Sequence, residues 1–533
     1  MRVRPATFGL LALAMLAFTA VVGAQDAKPQ PSSEAPRLLG QKSASPQPTP
    51  AAPSAPVAPG RPRSAPSSRD NAITSGEGRR LPEDSVTKHT ITVQGRTLAF
   101  TATAGSLRLF NDKGDPQADI AYTAYQLDGT DQRTRPITFF FNGGPGASSA
   151  YLQLGCAGPW RVSIEGEDAI PSASPEVKPN AETWLDFTDL VFVDPVETGY
   201  SRIVSTDAEA SKNLLSVDGD VNALAVAIRR YVEKADRLLS PKFIVGESYG
   251  GIRGPKIVHE LQARQGIGIK GLILISPVFD FRDLGNSSVL NYVNSLPSMA
   301  AIAREAKHPV TRADMADVEA YARGDFLTDL IKGEADKEAT ARLSDRVASL
   351  TGIDQTVIRR LAGRLDISEF RREFDRREGK VTGRYDGSVL GFDPNPDSIE
   401  GHFGDPSGDV LIAPLTTAVV DLTMHTLNWR PDGPYRLLNS SLSWDYGRGR
   451  SAVQSMSDVR QILSLDPKLK LLVGHGLFDL AAPYFGSKIR LDELPTYASP
   501  DRLKLVVYPG GHMFYSREAS RQAFRSEAEA LMK

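Results

Sequence analysis

A serine between flanking glycines is the part of the sequence whose residue types most clearly suit chemistry. Ser248 stands in the run GESYG, which begins at Gly246 and follows the apolar stretch Lys242–Val245. An amphipathic segment comes next, so the serine lies between a predicted buried strand and a helix. Such a turn is so tight that glycines two positions on either side of the serine avoid a clash, and it exposes the hydroxyl. We interpret Ser248 as a nucleophile, although the same pattern without this setting is common by chance.

A serine hydroxyl is a weak nucleophile at neutral pH and needs a base that is oriented by an acid. In α/β-hydrolases the acid and the base follow the serine in that order, on loops after late strands. Asp479 follows the apolar run Leu469–Val473, and His512 follows the run Leu503–Val507. The sequence therefore predicts a catalytic triad of Ser248, Asp479 and His512.

His475 is the one rival base among the seven histidines. It lies on the same predicted loop as Asp479 but precedes that acid in the chain, which reverses the expected order. The order of the residues therefore favours His512. The other histidines lie before the catalytic core, on the helix after the serine, or in or beside a later insertion: His89, His259, His308, His402 and His425.

An early glycine-rich loop offers donors for the oxyanion that forms when a serine attacks a carbonyl, which needs preorganised N–H groups in a dry site. The loop begins at Asn142 and follows the apolar run Ile137–Phe141, and its glycines let the backbone approach a substrate. We predict that the N–H groups of Gly144 and Tyr249 form the oxyanion hole. Taken alone, the loop would be an ordinary Gly-Pro turn.

The elements that must position these residues change in pattern along the chain. Alternating segments predict a leading antiparallel sheet, and later short continuous apolar runs predict strands buried on both faces with helices between them. We predict an α/β protein with the α/β-hydrolase fold, a mostly parallel central sheet and a helical cap insertion. The leading strands are expected at His89–Val93, Thr97–Ala104, Leu107–Asn111 and Ile120–Leu127, and the main helices at Val217–Leu239, Tyr249–Arg264 and Ser516–Met532.

The cap is predicted at residues 284–424, between two parts of the hydrolase domain at 81–283 and 425–533. Its sequence indicates several short helices within Ala300–Arg377 and an irregular loop within Thr382–Gly404. A helical insertion between sheet strands is typical of a cap that covers an active site. The alternative is a separate structural domain.

The N-terminus is expected to lie outside the fold. Residues 1–24 combine early arginines, a short apolar core and small residues at the exit, which is typical of a cleaved secretory signal peptide. A membrane anchor is the alternative, but the apolar run is short for a span of about 20 residues. Residues 25–80 are rich in Pro, Ala and Ser and predict a disordered linker. We therefore expect a periplasmic or secreted protein without stable membrane insertion after signal cleavage.

The composition excludes several other functions. A net charge of −2 gives no electrostatic reason to bind nucleic acid. We expect a peptide or small acyl substrate instead. The single cysteine, Cys156, excludes an intrachain disulfide framework, and no metal-ligand spacing is present, so we expect neither a metal nor another cofactor. The oligomeric state is left open.

Three motifs resemble those of the serine carboxypeptidase family: NGGPGASS at Asn142–Ser149, GESYGG at Gly246–Gly251 and GHM at Gly511–Met513. A fourth, PVETGYS at Pro195–Ser201, resembles the family's turn at a strand end. With the N-terminal leader, the chain is identified as an exported bacterial member. The resemblance implies the same triad and oxyanion donors, and it implies that Asn142 and Glu247 bind the terminal carboxylate of a peptide.

The match to the family has specific departures. The position of the family's second glutamate, counted without gaps from Asn142, holds Cys156, and Ala147 replaces a family cysteine. The predicted reaction is removal of C-terminal residues through an acyl-enzyme. The alternatives are an esterase, amidase or acyltransferase on the same triad, because fold and triad do not fix the leaving group, and a binding protein with a decayed site.

Overall fold

The computed structural model describes residues 80–164, 170–172, 174–285, 288–398, 404–447, 452–496 and 500–533. The predicted signal peptide, and all of the predicted linker except Arg80, lie outside these residues. No helix in the described ranges combines the length and the apolar composition needed to cross a bilayer. The domain boundaries drawn from the sequence stay predictions.

One large sheet organises the described chain. The strands are β1 Ser85–Val93, β2 Arg96–Phe110, β3 Pro116–Leu127, β4 Ile137–Phe141, β5 Trp160–Arg161, β6 Lys178–Pro179, β7 Asp189–Val193, β8 Arg202–Ile203, β9 Lys242–Glu247, β10 Gly271–Ile275, β11 Lys380–Thr382, β12 Leu390–Phe392, β13 Lys470–Gly476 and β14 Leu503–Tyr508. The sheet has the order β1-β2-β3-β7-β4-β9-β10-β13-β14, with β8 paired to β3. Strands β1 to β3 are antiparallel and β7 to β14 along this order are parallel, which is the mostly parallel α/β-hydrolase sheet predicted from the sequence.

The leading sheet differs from the prediction in one respect. Two separate strands were expected, at Thr97–Ala104 and Leu107–Asn111, because a Gly-Ser pair between them resembles a turn. In the structure β2 is continuous, and Gly105 and Ser106 pair with Tyr122 and Ala121 of β3. The prediction of a break is wrong because the neighbouring strand satisfies the backbone groups of this pair.

Helices cover both faces of the sheet, and this explains the continuous apolar runs. The helices are α1 Ala150–Leu152, α2 Ala208–Leu214, α3 Val217–Lys234, α4 Gly250–Ala263, α5 Val289–Glu305, α6 Ala316–Tyr321, α7 Leu327–Lys332, α8 Lys337–Thr351, α9 Gln355–Arg360, α10 Ile367–Glu373, α11 Ile412–Asp421, α12 Met456–Leu465, α13 Tyr484–Asp492 and α14 Glu518–Met532. Helices α3, α4 and α12 pack with one core cluster, and α11 and α14 pack with another. Every residue of β4, β7, β9 and β10 is buried, as expected for strands covered on both faces.

The chain between β10 and β13 has a core of its own. Buried residues of α5 to α10 form an apolar cluster that also includes Leu477, Phe478 and Leu480 from the loop after β13. The inserted helices are therefore anchored on the loop that carries Asp479. The irregular loop predicted at Thr382–Gly404 is partly wrong, because β11 and β12 form a hairpin within and beside it.

Candidate active site

Ser248 lies on a strained turn between β9 and α4. Its φ is +80°, which is a left-handed conformation that a residue with a side chain rarely adopts. The turn is held because the Ser248 N–H donates to Ile275 O at 3.0 Å, and the Ser248 carbonyl accepts from the N–H groups of Gly251 and Val278, each at 2.9 Å. Strain of this kind persists only where the surroundings enforce it, and it clusters at functional sites. Here it places the hydroxyl in the wall of a cavity at the carboxyl end of the sheet.

One of the two glycines expected to be sterically required beside the serine is required, and the other is not. A Cβ at Gly246 would lie 2.9 Å from the carbonyl oxygen of Gly250, so that glycine is sterically required. A Cβ at Gly250 would meet only Phe141 O, at 3.8 Å, which is ordinary contact. The close contact falls one residue later, because a Cβ at Gly251 would lie 2.5 Å from Pro277 Cβ. The sequence argument was thus correct for Gly246 and placed the second constraint one residue early.

The predicted acid and base form a buried pair. His512 Nδ1 and Asp479 Oδ2 are 2.8 Å apart, and both side chains are buried. Asp479 Oδ1 accepts the N–H groups of Ala481 and Ala482 at 2.8 and 2.9 Å. Burial by itself would lower the pKa of His512, but the charge and hydrogen bond of Asp479 outweigh it, and the pKa lies above its ordinary value. An Nδ1–H that donates to Asp479 leaves Nε2 as the nitrogen that can accept a proton.

Ser248 and His512 line the same cavity. Within the described ranges, no hydrogen bond joins the serine hydroxyl to the imidazole. In enzymes without bound substrate, such contacts are often long and shorten in the reacting complex. The structure therefore has the acid–base contact of the predicted triad formed, with the serine in the wall of the same cavity as the base.

His475 has a different environment from His512. It is fully buried, its Nε2 lies 2.8 Å from Ser487 Oγ, and its Nδ1 has no partner among the described residues. Burial, reinforced by the nearby His512, lowers its pKa to about 3. Among the described residues it makes no hydrogen bond or ion pair with a carboxylate, and it is not one of the residues that line the cavity.

The predicted oxyanion donors lie on two segments that touch. A Cβ at Gly143 would lie 2.5 Å from Tyr249 N, so the early loop packs directly on the serine turn. Both Gly144 and Tyr249 line the cavity. In the part of the chain that the structure describes, neither N–H donates to a protein acceptor, which leaves both available for a substrate oxygen.

A buried ion pair holds the early glycine-rich loop that begins at Asn142. Arg253 Nε donates to Asp220 Oδ2 at 2.7 Å, and both side chains are 1% exposed. The same guanidinium donates to the carbonyl oxygen of Asn142. Because that carbonyl belongs to the peptide unit that continues into Gly143, the contact fixes the backbone beside the serine. Nothing in the sequence pattern indicated this pair.

Asn142 and Glu247 form the second polar pair of the cavity. Asn142 Nδ2 donates to Glu247 Oε1 at 2.8 Å, and the Leu152 N–H donates to Asn142 Oδ1 at 3.2 Å, which fixes the orientation of the amide. Burial raises the pKa of Glu247 to about 7, although His512, Tyr515 and Asn142 oppose the rise. Below that pH the carboxyl carries a proton and can itself donate a hydrogen bond.

The partner that the sequence argument missed is Tyr515. Its hydroxyl donates to Glu247 Oε2 at 2.6 Å, so Glu247 has a polar partner where the family's second glutamate is absent. Cys156 is buried close by: burial, reinforced by the charge of Glu247, raises the pKa of its thiol. Tyr515 lies three residues after His512, but no spacing rule would have identified it.

The inserted segment contributes six residues to the cavity wall. Its residues that line the cavity are Leu284, Arg384, Tyr385, Gly408, Asp409 and Ile412. Tyr385 also contacts the base. Its carbonyl oxygen accepts the backbone N–H of His512 at 2.5 Å, and its ring lies edge-on to the imidazole at a centroid distance of 5.2 Å. The described residues contain no cluster of three side chains that could hold a metal ion.

Comparison with known proteins identifies relatives. The family model described as serine carboxypeptidase matches residues 110–390. Serine carboxypeptidase-like 33 of Arabidopsis thaliana is 28% identical over 169 residues, which is 30% of this chain and 33% of that protein. The pheromone-processing carboxypeptidase KEX1 of Yarrowia lipolytica is 32% identical over 144 residues, which is 26% of this chain and 21% of that protein. The chain thus spans a third or less of the length of these two curated relatives.

A solved structure, that of KEX1(delta)p, a prohormone-processing carboxypeptidase from Saccharomyces cerevisiae, has a TM-score of 0.48 and 16% identity. It covers 81% of this chain and 91% of that chain. The segment matched by the family model contains Ser248, Asn142 and Glu247 but ends before Asp479 and His512. The assignment of that acid and base therefore rests on the geometry described above. Because the model matches more than half of the chain, the protein belongs to the serine carboxypeptidase family.

Proposed function

We propose that the protein is a serine-type carboxypeptidase that removes C-terminal residues from peptides through an acyl-enzyme at Ser248. The observation that carries the proposal is the buried pair of Asn142 and Glu247 in the same cavity as Ser248 and His512. A protonated Glu247 and the amide of Asn142 are two donors that suit a terminal carboxylate. An ionised acid at that place would repel it.

The acylation step follows from the positions of the proposed triad. His512 Nε2 accepts the hydroxyl proton as Ser248 Oγ attacks the carbonyl carbon, while Asp479 stabilises the imidazolium that forms. The N–H groups of Gly144 and Tyr249 stabilise the oxyanion. The imidazolium then protonates the leaving amine, and a water molecule activated by the same histidine releases the shortened peptide.

The pKa of Glu247 sets a pH range for this reaction. Because the carboxyl holds its proton up to about pH 7, binding of a free-acid terminus is supported in neutral as well as acidic solution. Tyr515 and Asn142 both favour the ionised form and keep the pKa from rising further. The proposal therefore includes activity near neutral pH, despite the absence of the family's second glutamate.

We also propose that this is an exported bacterial member of the family, periplasmic or secreted. The support is the sequence of residues 1–24, with its basic start, apolar core and small-residue exit. The relatives named above come from a plant and from yeasts, so the bacterial origin stays a prediction.

The experiment compares matched peptides that end in a free acid or in an amide, with wild type and Ser248→Ala. We expect wild type to release the last residue of the free acid and to label with a fluorophosphonate probe. Ser248→Ala should lose labelling, and its turnover should fall by about three orders of magnitude or more. Ser464→Ala, an exposed serine outside the cavity, is the matched control. Equal rates on acid and amide would favour the esterase or amidase alternative, and absence of labelling would favour a binding protein.

A further inference from the structure

The cavity wall contains an arginine whose guanidinium is not engaged by any side chain or backbone group of the described residues. Arg384 is exposed and lines the cavity beside Tyr385 and His512. In the described ranges, its side chain takes part in no hydrogen bond, ion pair or ring contact. Two other arginines of the fold are engaged within the protein: Arg253 pairs with Asp220, and Arg517 donates to Ser388 Oγ at 2.8 Å. Arg384 therefore keeps all its donors for a ligand.

The backbone that carries Arg384 is fixed. The N–H of Arg384 donates to Asp405 Oδ1 at 3.0 Å, and the N–H of Tyr385 donates to Asp405 Oδ2 at 3.2 Å. Ser407 Oγ donates to Asp405 Oδ1 at 2.6 Å and accepts the Asp386 N–H at 2.9 Å. Asp405 is thus engaged with the backbone of the loop and not with the guanidinium, and the arginine projects from a defined position.

This loop also lies directly against the proposed base. A Cβ at Gly511 would lie 2.1 Å from Tyr385 O, and that oxygen accepts the His512 N–H. The guanidinium is therefore carried by a segment that contacts the backbone of the proposed base, and it lines the same cavity as Ser248. A substrate side chain next to the cleaved bond would have to enter this cavity.

Asp409, the acid on the same wall, is less available to a ligand than Arg384. Asp409 Oδ2 accepts the N–H of Asp405 at 2.7 Å, so part of its hydrogen-bonding capacity is used inside the protein. The guanidinium, by contrast, presents a planar fork that matches a carboxylate in two parallel hydrogen bonds. An acidic ligand group thus has a better-matched partner here than a basic one.

We propose that Arg384 selects peptides that carry an acidic side chain next to the bond that is cut. The inference rests on the proposed carboxypeptidase function and names a substrate class for it: peptides with Glu or Asp as the last or the penultimate residue. Arg384 is then a specificity-determining residue supplied by the inserted segment.

The test measures kcat/KM on free-acid peptides that differ only by Glu or Gln, placed last in one pair and penultimate in another. Wild type is expected to prefer Glu by about fivefold in at least one pair at low ionic strength, as for a partly exposed ion pair. Arg384→Gln should bring that ratio close to one, and Arg384→Lys should keep part of it. Arg430→Gln removes the same charge at an exposed position outside the cavity and should keep the wild-type ratio. Raising the salt concentration should shrink the wild-type preference.

Several results would overturn the inference. An unchanged Glu-to-Gln ratio in Arg384→Gln would do so, and so would a wild-type preference for Lys over Gln at both positions. If Arg384→Gln slowed the Glu and Gln peptides equally, the guanidinium would act on something that both share, either the terminal carboxylate or the pKa of His512, which its charge lowers. The side-chain selectivity would then be wrong. Release from the Gln peptides would show in each case that the proposed function survives, whereas no release from any free-acid peptide would overturn function and inference together.

Discussion

The cavity has two walls of different construction. The sheet wall includes Asn142, Glu247, Ser248 and His512, and the side chains of Glu247 and His512 are 4% and 2% exposed. The insertion wall consists of Leu284, Arg384, Tyr385, Gly408, Asp409 and Ile412; Ile412 is 40% exposed, and Arg384 and Asp409 are exposed as well. Groups that make and break bonds need a fixed geometry, which burial and hydrogen bonding supply. Groups that distinguish substrates need only contact the substrate's side chain once it is bound, so they can be exposed.

This contrast predicts different consequences of substitution. Changes in the sheet wall should strongly lower the rate on every substrate, whereas changes in the insertion wall should alter the ranking of substrates and lower the common rate by about tenfold at most. Three further sets of variants can break or sharpen that distinction.

The largest effect is expected for His512→Ala on the sheet wall. The variant loses the group that accepts the serine proton, so kcat/KM should fall by about three orders of magnitude or more on all peptides. The measurement is steady-state kinetics on several peptides, with the melting temperature recorded to confirm folding.

His475→Ala is the matched control, because both imidazoles are buried and lie near each other. It removes a hydrogen bond to Ser487 but no contact with a carboxylate or with the cavity, so its kcat/KM should stay within about tenfold of wild type. If His475→Ala were inactive and His512→Ala active, the assignment of the base would have to be exchanged.

A smaller, pH-dependent effect is expected for Glu247. With a pKa of about 7, the carboxyl is protonated below neutrality and ionised above it. In wild type, kcat/KM on free-acid peptides should therefore fall as the pH rises through about 7, because the ionised carboxyl repels the substrate terminus. Glu247→Gln cannot ionise, so the decline on the alkaline side should disappear. The profiles should be measured on matched free-acid and amide peptides.

Tyr515→Phe sharpens the same test. The Tyr515 hydroxyl lowers the pKa of Glu247, so its removal should raise that pKa and move the alkaline decline to higher pH. On amidated peptides neither variant should alter the alkaline side of the profile, whereas loss of the Glu247 charge should lower the pKa of His512 on every substrate. Identical free-acid profiles for wild type and Glu247→Gln would exclude the carboxylate-binding role.

The residues of the sheet wall are also those that could be predicted from the sequence. Ser248, Asp479 and His512 each follow a short apolar run, because a parallel sheet buried on both faces brings the carboxyl ends of its strands to one edge. That rule placed the acid and base of the proposed triad without any structural information. Asn142 and Glu247 were identified by the family resemblance instead, and they lie directly after β4 and at the end of β9.

The insertion wall could not be predicted in this way. Its helices follow amphipathic periodicity, which indicates that they exist but not where they pack. Arg384 and Tyr385 reach the cavity through a hairpin and a turn organised by Asp405, some twenty residues later in the chain. Long-range contacts of this kind have no local pattern, and the same holds for Tyr515 and for the Asp220–Arg253 pair beneath the early loop.

The smallest effect is expected for Tyr385→Leu, the insertion-wall substitution closest to the chemistry. The ring contact with His512 would be lost, but the backbone hydrogen bond from the His512 N–H to Tyr385 O would remain. An edge-on aromatic contact contributes modestly, so kcat should fall by about threefold to tenfold on all peptides, with little change in KM. Tyr385→Phe keeps the ring, and the hydroxyl makes no hydrogen bond among the described residues, so this control should behave as wild type. Tyr385→Leu could instead lose as much activity as His512→Ala while remaining folded. The insertion wall would then take part in catalysis, and the functional distinction between the two walls would be wrong.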